Sequence, residues 1–328
     1  MPPAARKRGK FMLVNGKWQQ NWQPVQSRDE EGRFIRQESS FRHWVTTDGS
    51  PGPTGEAGFK AEPERYHLYV AYICPWASRT LMARQLKGLT DLIGVTVVNP
   101  QLSEQGWKFG DYPGAEGQVF NNADYVHELY TYADPSYTGR ATVPILWDRQ
   151  TRTIVNNESA DIVRMLNSGF VDYTTSGPDL YPAALAADID QLNSYLYEHL
   201  NNGVYQAGFA SSQQAYEEAY RRVFLALDAM EERLSDRRLY LFGDRLTESD
   251  IRLFVTLIRF DAAYHGLFKC NRNALRQMPN LWRYTLRVWH LEGVAETVNI
   301  HHIKAGYYSI KALNPSGIVP LGPDSYRP

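Results

Sequence analysis

One short stretch limits what this chain can fold into: Glu64-Arg-Tyr-His-Leu-Tyr-Val-Ala-Tyr-Ile-Cys74-Pro75-Trp76-Ala77, followed by Ser-Arg-Thr-Leu-Met-Ala-Arg-Gln-Leu-Lys-Gly88. Tyr66 to Val70 is rich in β-forming residues and predicts a buried strand, and a turn then delivers a cysteine directly before proline. The predicted helix begins at that cysteine. Pro75 suits its first turn, where the missing N–H would lack a partner anyway, Leu81, Met82 and Leu86 repeat at helical spacing, and Gly88 ends the run.

A thiol at a helix N-terminus meets unpaired backbone N–H groups and the positive end of the macrodipole, both of which favour thiolate over thiol. Cys74 is therefore a candidate nucleophile. A lone cysteine in a soluble protein is more often a small buried hydrophobe, but strand, turn, cysteine, proline and helix in succession are far more specific. In a Cys-x-x-Cys site the second cysteine resolves a mixed disulfide internally, whereas here that position is Ala77. The other cysteine, Cys270, lies in an apolar, aromatic stretch and reads as core. A mixed disulfide on Cys74 would need an external thiol for its release.

At 328 residues the chain suits two domains or one large one. A formal net charge of -1 and a pI near 6.7 give no electrostatic case for nucleic acid or an anionic membrane. Two cysteines make no disulfide framework, which points to a reducing cytoplasm. Met1 to Lys10 carries four basic residues, but the apolar run after it, Phe11 to Val14, is too short for a signal-peptide core, and no segment is long enough to span a bilayer. With 21 Tyr, 13 Phe and 8 Trp, a site that stacks flat rings is physically available.

Residues 11 to 63 are dense in turn formers, with Trp18, Trp22, Phe41 and Trp44 as scattered anchors, and read as an ordered extension wrapped on the body. Beyond the Cys74 helix, Ile93 to Asn99 predicts a strand parallel to the first through a right-handed crossover. Residues 100 to 122 are irregular, Ala123 to Ala133 helical, Ala141 to Trp147 and Thr151 to Val155 two antiparallel strands, and Asn156 to Asp161 the start of a helix burying Ile162, Val163 and Leu166. This β-α-β-α-β-β-α order is that of a thioredoxin-like domain. Pro144 sits where a central strand should begin; in this topology the favoured reading is a cis Val143-Pro144 bond that turns the Val143 N–H and C=O outward. After a Gly- and Pro-containing linker, Tyr173 to Pro182, the chain is helical to near residue 310. Leu185 to Leu200 and Ser212 to Leu234 have helical spacing, and Ser211 with Gln214 offers a cap for the second. Thr247 and Asp250 form a capping box, flanked by Leu246 and Ile251 as a hydrophobic staple.

A thioredoxin-like domain followed by an all-helical domain with this capping box resembles the glutathione transferases. The chain is similar, from near residue 40 to near 320, to their Xi class, the glutathionyl-hydroquinone reductases. The matching stretches include Phe41-Arg-His-Trp-Val-Thr-Thr-Asp-Gly-Ser-Pro-Gly-Pro-Thr-Gly55, Cys74-Pro-Trp-Ala77, Val98-Asn-Pro100, Gly106-Trp107, Thr142-Val-Pro-Ile145, Asn157-Glu-Ser-Ala160, Asn201-Asn-Gly-Val-Tyr-Gln-Ala-Gly-Phe209, Asp250-Ile-Arg-Leu253 and Asn314-Pro-Ser-Gly317. The first ten residues fall outside the resemblance; the pattern along the chain divides it into an extension over residues 1–63, a thioredoxin-like domain over 64–172 that the resemblance makes glutathione-binding, and a helical substrate domain with a C-terminal tail over 183–328.

It also implies roles. Cys74 matches the nucleophile; Trp107, Arg140, Ala141, Thr142, Val143, Glu158 and Ser159 match positions that hold glutathione. Val143 would pair its backbone with the cysteinyl amide, Ser159 near a helix N-terminus would meet the γ-glutamyl carboxylate, Glu158 the γ-glutamyl ammonium and Arg140 a carboxylate. Tyr205 matches a proton-transfer residue, and Tyr264 and Tyr307 two tyrosines whose hydroxyls would stabilise a thiolate. The implied reaction is reduction of a glutathionyl-hydroquinone through a Cys74-glutathione mixed disulfide, resolved by a second glutathione, with no metal, in a homodimer. General thiol transfer, dehydroascorbate reduction, ordinary conjugation and a non-catalytic interaction module are the alternatives.

Overall fold

The computed structural model describes residues 12–22, 27–117, 122–174 and 177–322. The basic start, Met1 to Lys10, lies outside them.

The strands predicted around Cys74 build a four-stranded sheet: β1 (Tyr66–Val70), β2 (Gly94–Val97), β3 (Ile145–Asp148) and β4 (Thr153–Asn156), in the spatial order β4-β3-β1-β2. β1 pairs in parallel with β2 and antiparallel with β3, with Leu68 opposite Val95 on one side and Leu146 on the other. Every residue of β1 is buried, as expected for a central strand covered on both faces. Helix α1 (Pro75–Leu86) connects β1 to β2, with Cys74 as its N-cap, Pro75 in its first turn and Gly88 at φ +64° just past its end. Helices α2 (Val126–Ala133) and α3 (Ser159–Ser168) complete this layer, and α3 buries Ile162, Val163 and Leu166 against the core.

The strand expected over Ala141 to Trp147 is shorter than its pattern suggested. It starts at Ile145, after a cis Val143-Pro144 bond, and Ala141 to Val143 run as irregular chain beside the sheet. Proline has no N–H to give a ladder, so pairing begins one residue later.

The later residues form α4 (Ala186–Leu196), α5 (Gly203–Gly208), α6 (Gln213–Arg233), α7 (Glu248–Arg259), α8 (Pro279–Trp289) and α9 (Ile300–Tyr308). The helix expected to run from Leu185 to Leu200 instead widens into a π-helical turn over Tyr197–Asn201, and α7 continues into a second such turn over Phe260–Tyr264. Inserted π turns often mark functional sites, and these two lead into Tyr205 and end on Tyr264. The cap of α6 is Ser212, whose Oγ accepts from Ala215 N at 3.2 Å, and not the Ser211 expected from the sequence. The capping box of α7 is present: Asp250 Oδ2 accepts from Thr247 N (2.8 Å), while its Oδ1 accepts from Leu241 N and from the Tyr284 hydroxyl (both 2.9 Å). Burial lifts the Asp250 carboxyl to about 6 against these donors.

The extension does more than cover the body. Its Met12 and Leu13 amides donate to Gly139 O, Arg28 Nε donates to Phe209 O (3.0 Å), and Ser211 N donates to Gly32 O (3.1 Å), so it ties the sheet layer to the helical layer.

Candidate active site

Two adjoining cavities meet at the N-terminus of α1. One, of about 170 Å³, is lined by Cys74, Trp107, Arg140 to Val143, Tyr205 and Tyr307, with Phe34, Arg36, Phe209 and Trp76 among the remaining walls. The other, about 270 Å³, is polar and is lined by Thr142, Val143, Glu158 and Ser159 together with Arg36, Trp76 and Arg42. The shared wall is Arg36, Trp76, Thr142 and Val143. One arm is thus aromatic and holds the sulfur; the other is charged and hydroxyl-rich.

Cys74 is half-buried, and its thiol donates to Val143 O across 3.5 Å. Its electrostatics differ from the expectation of a simply acidified thiol. Burial raises the pKa above the ordinary cysteine value, against the Trp76 and Ala77 amides and the Arg259 and Arg36 charges, which pull the other way. Helix-end donors are present as expected, but desolvation outweighs them. Cys270 is fully buried and its thiol is pushed up to about 12, which makes it a core residue. Both cysteines are free.

The turn that carries Cys74 is held from the helical layer. Arg259, fully buried at the end of α7, donates to Tyr72 O (2.7 Å), Ile73 O (3.0 Å) and Ser78 Oγ (2.5 Å). Charge-assisted bonds to backbone carbonyls fix that turn far more firmly than neutral ones would.

The three tyrosines form a chain of hydroxyls: Tyr205 to Tyr307 at 2.6 Å, and Tyr307 to Tyr264 at 2.8 Å. Tyr205 and Tyr307 face the cavity, while Tyr264 stands behind them and reaches the cavity through Tyr307 and through ring contact with Tyr205. Tyr264 therefore supports the two cavity-facing tyrosines and is not itself a wall of the cavity. Burial raises all three phenol pKa values, so each hydroxyl remains a proton donor at neutral pH. If Tyr264 donates to Tyr307 and Tyr307 to Tyr205, the Tyr205 hydrogen points into the cavity.

At the polar arm, Glu158 is the N-cap of α3: its Oε1 accepts from Ala160 N (3.1 Å) and Ser159 Oγ (3.4 Å), and its Oε2 from Ser39 Oγ (3.0 Å). Helix capping and an anion-facing surface coexist at these two residues. Thr142 is held by Tyr130, whose hydroxyl donates to Thr142 O at 3.0 Å. Arg140, 5% exposed, lies 5.4 Å from the Trp22 ring, and burial with the nearby Arg36 charge lowers its guanidinium to about 10. Trp107 is positioned by its carbonyl, which accepts from Val126 N at the start of α2.

A family model for the glutathione S-transferase N-terminal domain matches residues 73–168, and one for the C-terminal domain matches residues 213–287. A glutathionyl-hydroquinone reductase of Escherichia coli, YqjG, is 49% identical over 95% of this chain and 94% of its own length. The chain belongs to the Xi-class glutathione transferases. A second such reductase, PcpF of Sphingobium chlorophenolicum, is 48% identical over 95% of this chain and 96% of its own length. The glutathione-bound structure of YqjG superposes with a TM-score of 0.86, covering 95% of each chain. The Xi transferase of Phanerochaete chrysosporium superposes with a TM-score of 0.85 at 46% identity, covering 91% of this chain and 95% of its own. The thioredoxin-like plus all-helical architecture expected from the sequence is thus that of the class.

Eight of the eleven expected site residues, Cys74 among them, wall the aromatic cavity, and Glu158 and Ser159 wall the polar one. Site residues not expected from the sequence include Phe34, Arg36, Ser39 and Arg42 of the extension, beside Trp76, Phe209 and Arg259. No local pattern marks those of the extension, because it acquires its place only by packing on both layers.

Proposed function

We propose that this Xi-class transferase is a glutathionyl-hydroquinone reductase that uses Cys74 as its nucleophile and glutathione as co-substrate. The observation that carries this reading is a monothiol, with Ala77 in place of a resolving cysteine, set in an aromatic cavity that adjoins a polar one. The tripeptide lies along Trp107, Arg140 to Val143, Glu158 and Ser159, with Val143 meeting the cysteinyl amide. The hydroquinone ring occupies the aromatic arm.

The chemistry balances in two steps. The ring first takes its keto form by moving a hydroxyl proton to the carbon that bears sulfur, with Tyr205 relaying that proton. Cys74 thiolate attacks the glutathionyl sulfur; the S–S bond forms, the S–C bond breaks, and its electron pair passes into the ring carbonyl to give the aryloxide. A second glutathione thiolate then attacks the mixed disulfide, releasing oxidised glutathione and Cys74 thiolate. Protonation at carbon avoids a bare aryl anion as leaving group. Supporting a homodimer in a reducing cytoplasm are the class and the two free thiols.

The test is steady-state release of hydroquinone from a glutathionyl-hydroquinone by wild type and Cys74→Ala. Wild type turns over and the variant falls to background. Equal activity of the two overturns the reading.

A further inference from the structure

Two arginines stack on the indole of Trp76, and neither forms an ion pair among the described residues. Arg36 of the extension lies 4.6 Å from the Trp76 ring and 4.9 Å from the Tyr205 ring; its Nε donates to the neutral amide oxygen of Asn202 at 3.0 Å. Arg79 of α1 lies 4.5 Å from the same indole and donates to the amide oxygen of Asn201 at 2.8 Å. Arg36 Nη2 is buried and has no hydrogen-bond partner among the described residues. Arg36 alone of the pair walls both cavities.

We propose that Arg36 is the oxyanion-binding residue of the reaction: its guanidinium receives the negative charge that appears on the ring oxygen as the S–C bond breaks. This inference rests on the reductase reading above. The electron balance of that step sends the thiolate's charge, once the ring is in its keto form, onto the carbonyl oxygen next to the broken bond. A ring in the aromatic arm between Cys74 and Tyr205 places that oxygen on the wall formed by Arg36. The guanidinium is held by the Asn202 amide and the Trp76 and Tyr205 faces, and it forms no ion pair with a carboxylate among the described residues, although Glu38 and Glu158 wall the same polar cavity. A preorganised cation aimed at charge absent from the ground state accelerates the chemical step and leaves substrate binding little changed. Arg140, facing the same cavity, is the other cation available, but it packs on Trp22 and lines only the aromatic arm. The extension therefore supplies a group to the chemistry and not merely a covering.

The experiment compares wild type, Arg36→Lys, and two uncharged variants of similar length, Arg36→Gln and Arg36→Met, on glutathionyl-hydroquinones whose ring substituents vary the acidity of the hydroxyl. The uncharged variants lose about 10²-fold in kcat, KM changes little, and Arg36→Lys recovers part of the loss. The loss is largest for the least acidic ring, because a poor aryloxide needs the cation most. Folding is checked independently by circular dichroism and thermal melting; the Met variant keeps the aliphatic stem against Trp76 and Tyr205 should the Gln variant fail that check. An uncharged variant within about threefold of wild type, a loss that is equal across all rings, or a rise in the KM for glutathione at constant kcat overturns the assignment. A wild type that releases no hydroquinone from any ring overturns the reductase reading itself, which separates the two failures.

Discussion

Removing the Tyr205 hydroxyl tests the hydroxyl chain most sharply, because the three tyrosines are ranked by position. With Tyr264 donating to Tyr307 and Tyr307 to Tyr205, Tyr205 is the member whose hydrogen reaches the ring; Tyr307 orients it across 2.6 Å, and Tyr264 bonds Tyr307 at 2.8 Å and meets Tyr205 only ring to ring. A positioned proton donor is worth about 10²–10⁴-fold, so Tyr205→Phe should lower kcat on a glutathionyl-hydroquinone by that factor. Tyr307→Phe removes one hydrogen bond to Tyr205, worth about 1 kcal/mol, and should cost roughly fivefold. Tyr264→Phe acts only by polarising the next bond, an effect of about 10–30% of that bond's strength, and should stay within about twofold. The assay is pre-steady-state release of hydroquinone, with adduct formation from oxidised glutathione as the control, since no ring proton moves in that exchange. Equal losses in all three variants would mean that the tyrosines only hold the fold. A Tyr205→Phe enzyme within threefold of wild type would refute proton transfer from that hydroxyl.

Two other outcomes follow from the electrostatics. The Cys74 thiol pKa lies above its ordinary value because burial outweighs the helix-end donors, so below that pKa thiolate is scarce: alkylation of the free protein and kcat/KM should both climb as pH rises through and beyond the ordinary cysteine range, and a rate already flat at pH 7 would contradict this. Asp250→Ala strips acceptors from Leu241 N, Thr247 N and the Tyr284 hydroxyl, all buried; at about 1 kcal/mol for each orphaned donor, urea denaturation should give a loss of about 3 kcal/mol, and a loss under about 1 kcal/mol would show that the box is dispensable.

How far the sequence disclosed this site depended on whether its parts are local. The Cys74 helix and the Asp250 box were readable because neighbouring residues determine them, and the cis Val143-Pro144 bond followed from the order of elements around it. The glutathione-facing residues and the tyrosines were assigned by resemblance; with 21 tyrosines, periodicity could not have singled out Tyr205, Tyr264 and Tyr307. Arg36 and Arg259 escaped notice for a different reason. Each acts on a segment far from it in sequence, Arg259 on the turn at Tyr72 and Ile73, Arg36 on Asn202 and Tyr205, and only the packing of extension and helices on the sheet brings them there. The balance at Cys74 was misjudged on similar grounds: helix-end donors can be read from local sequence, whereas burial cannot.

The most direct measurement of the central claim is a single turnover with enzyme in excess over a glutathionyl-hydroquinone and no free glutathione, followed by intact-mass and peptide analysis. The account predicts that the hydroquinone is released while glutathione stays on Cys74, and that adding glutathione frees it as the oxidised dimer. Repeated turnover without added glutathione, or an adduct found on Cys270 and not on Cys74, would contradict it.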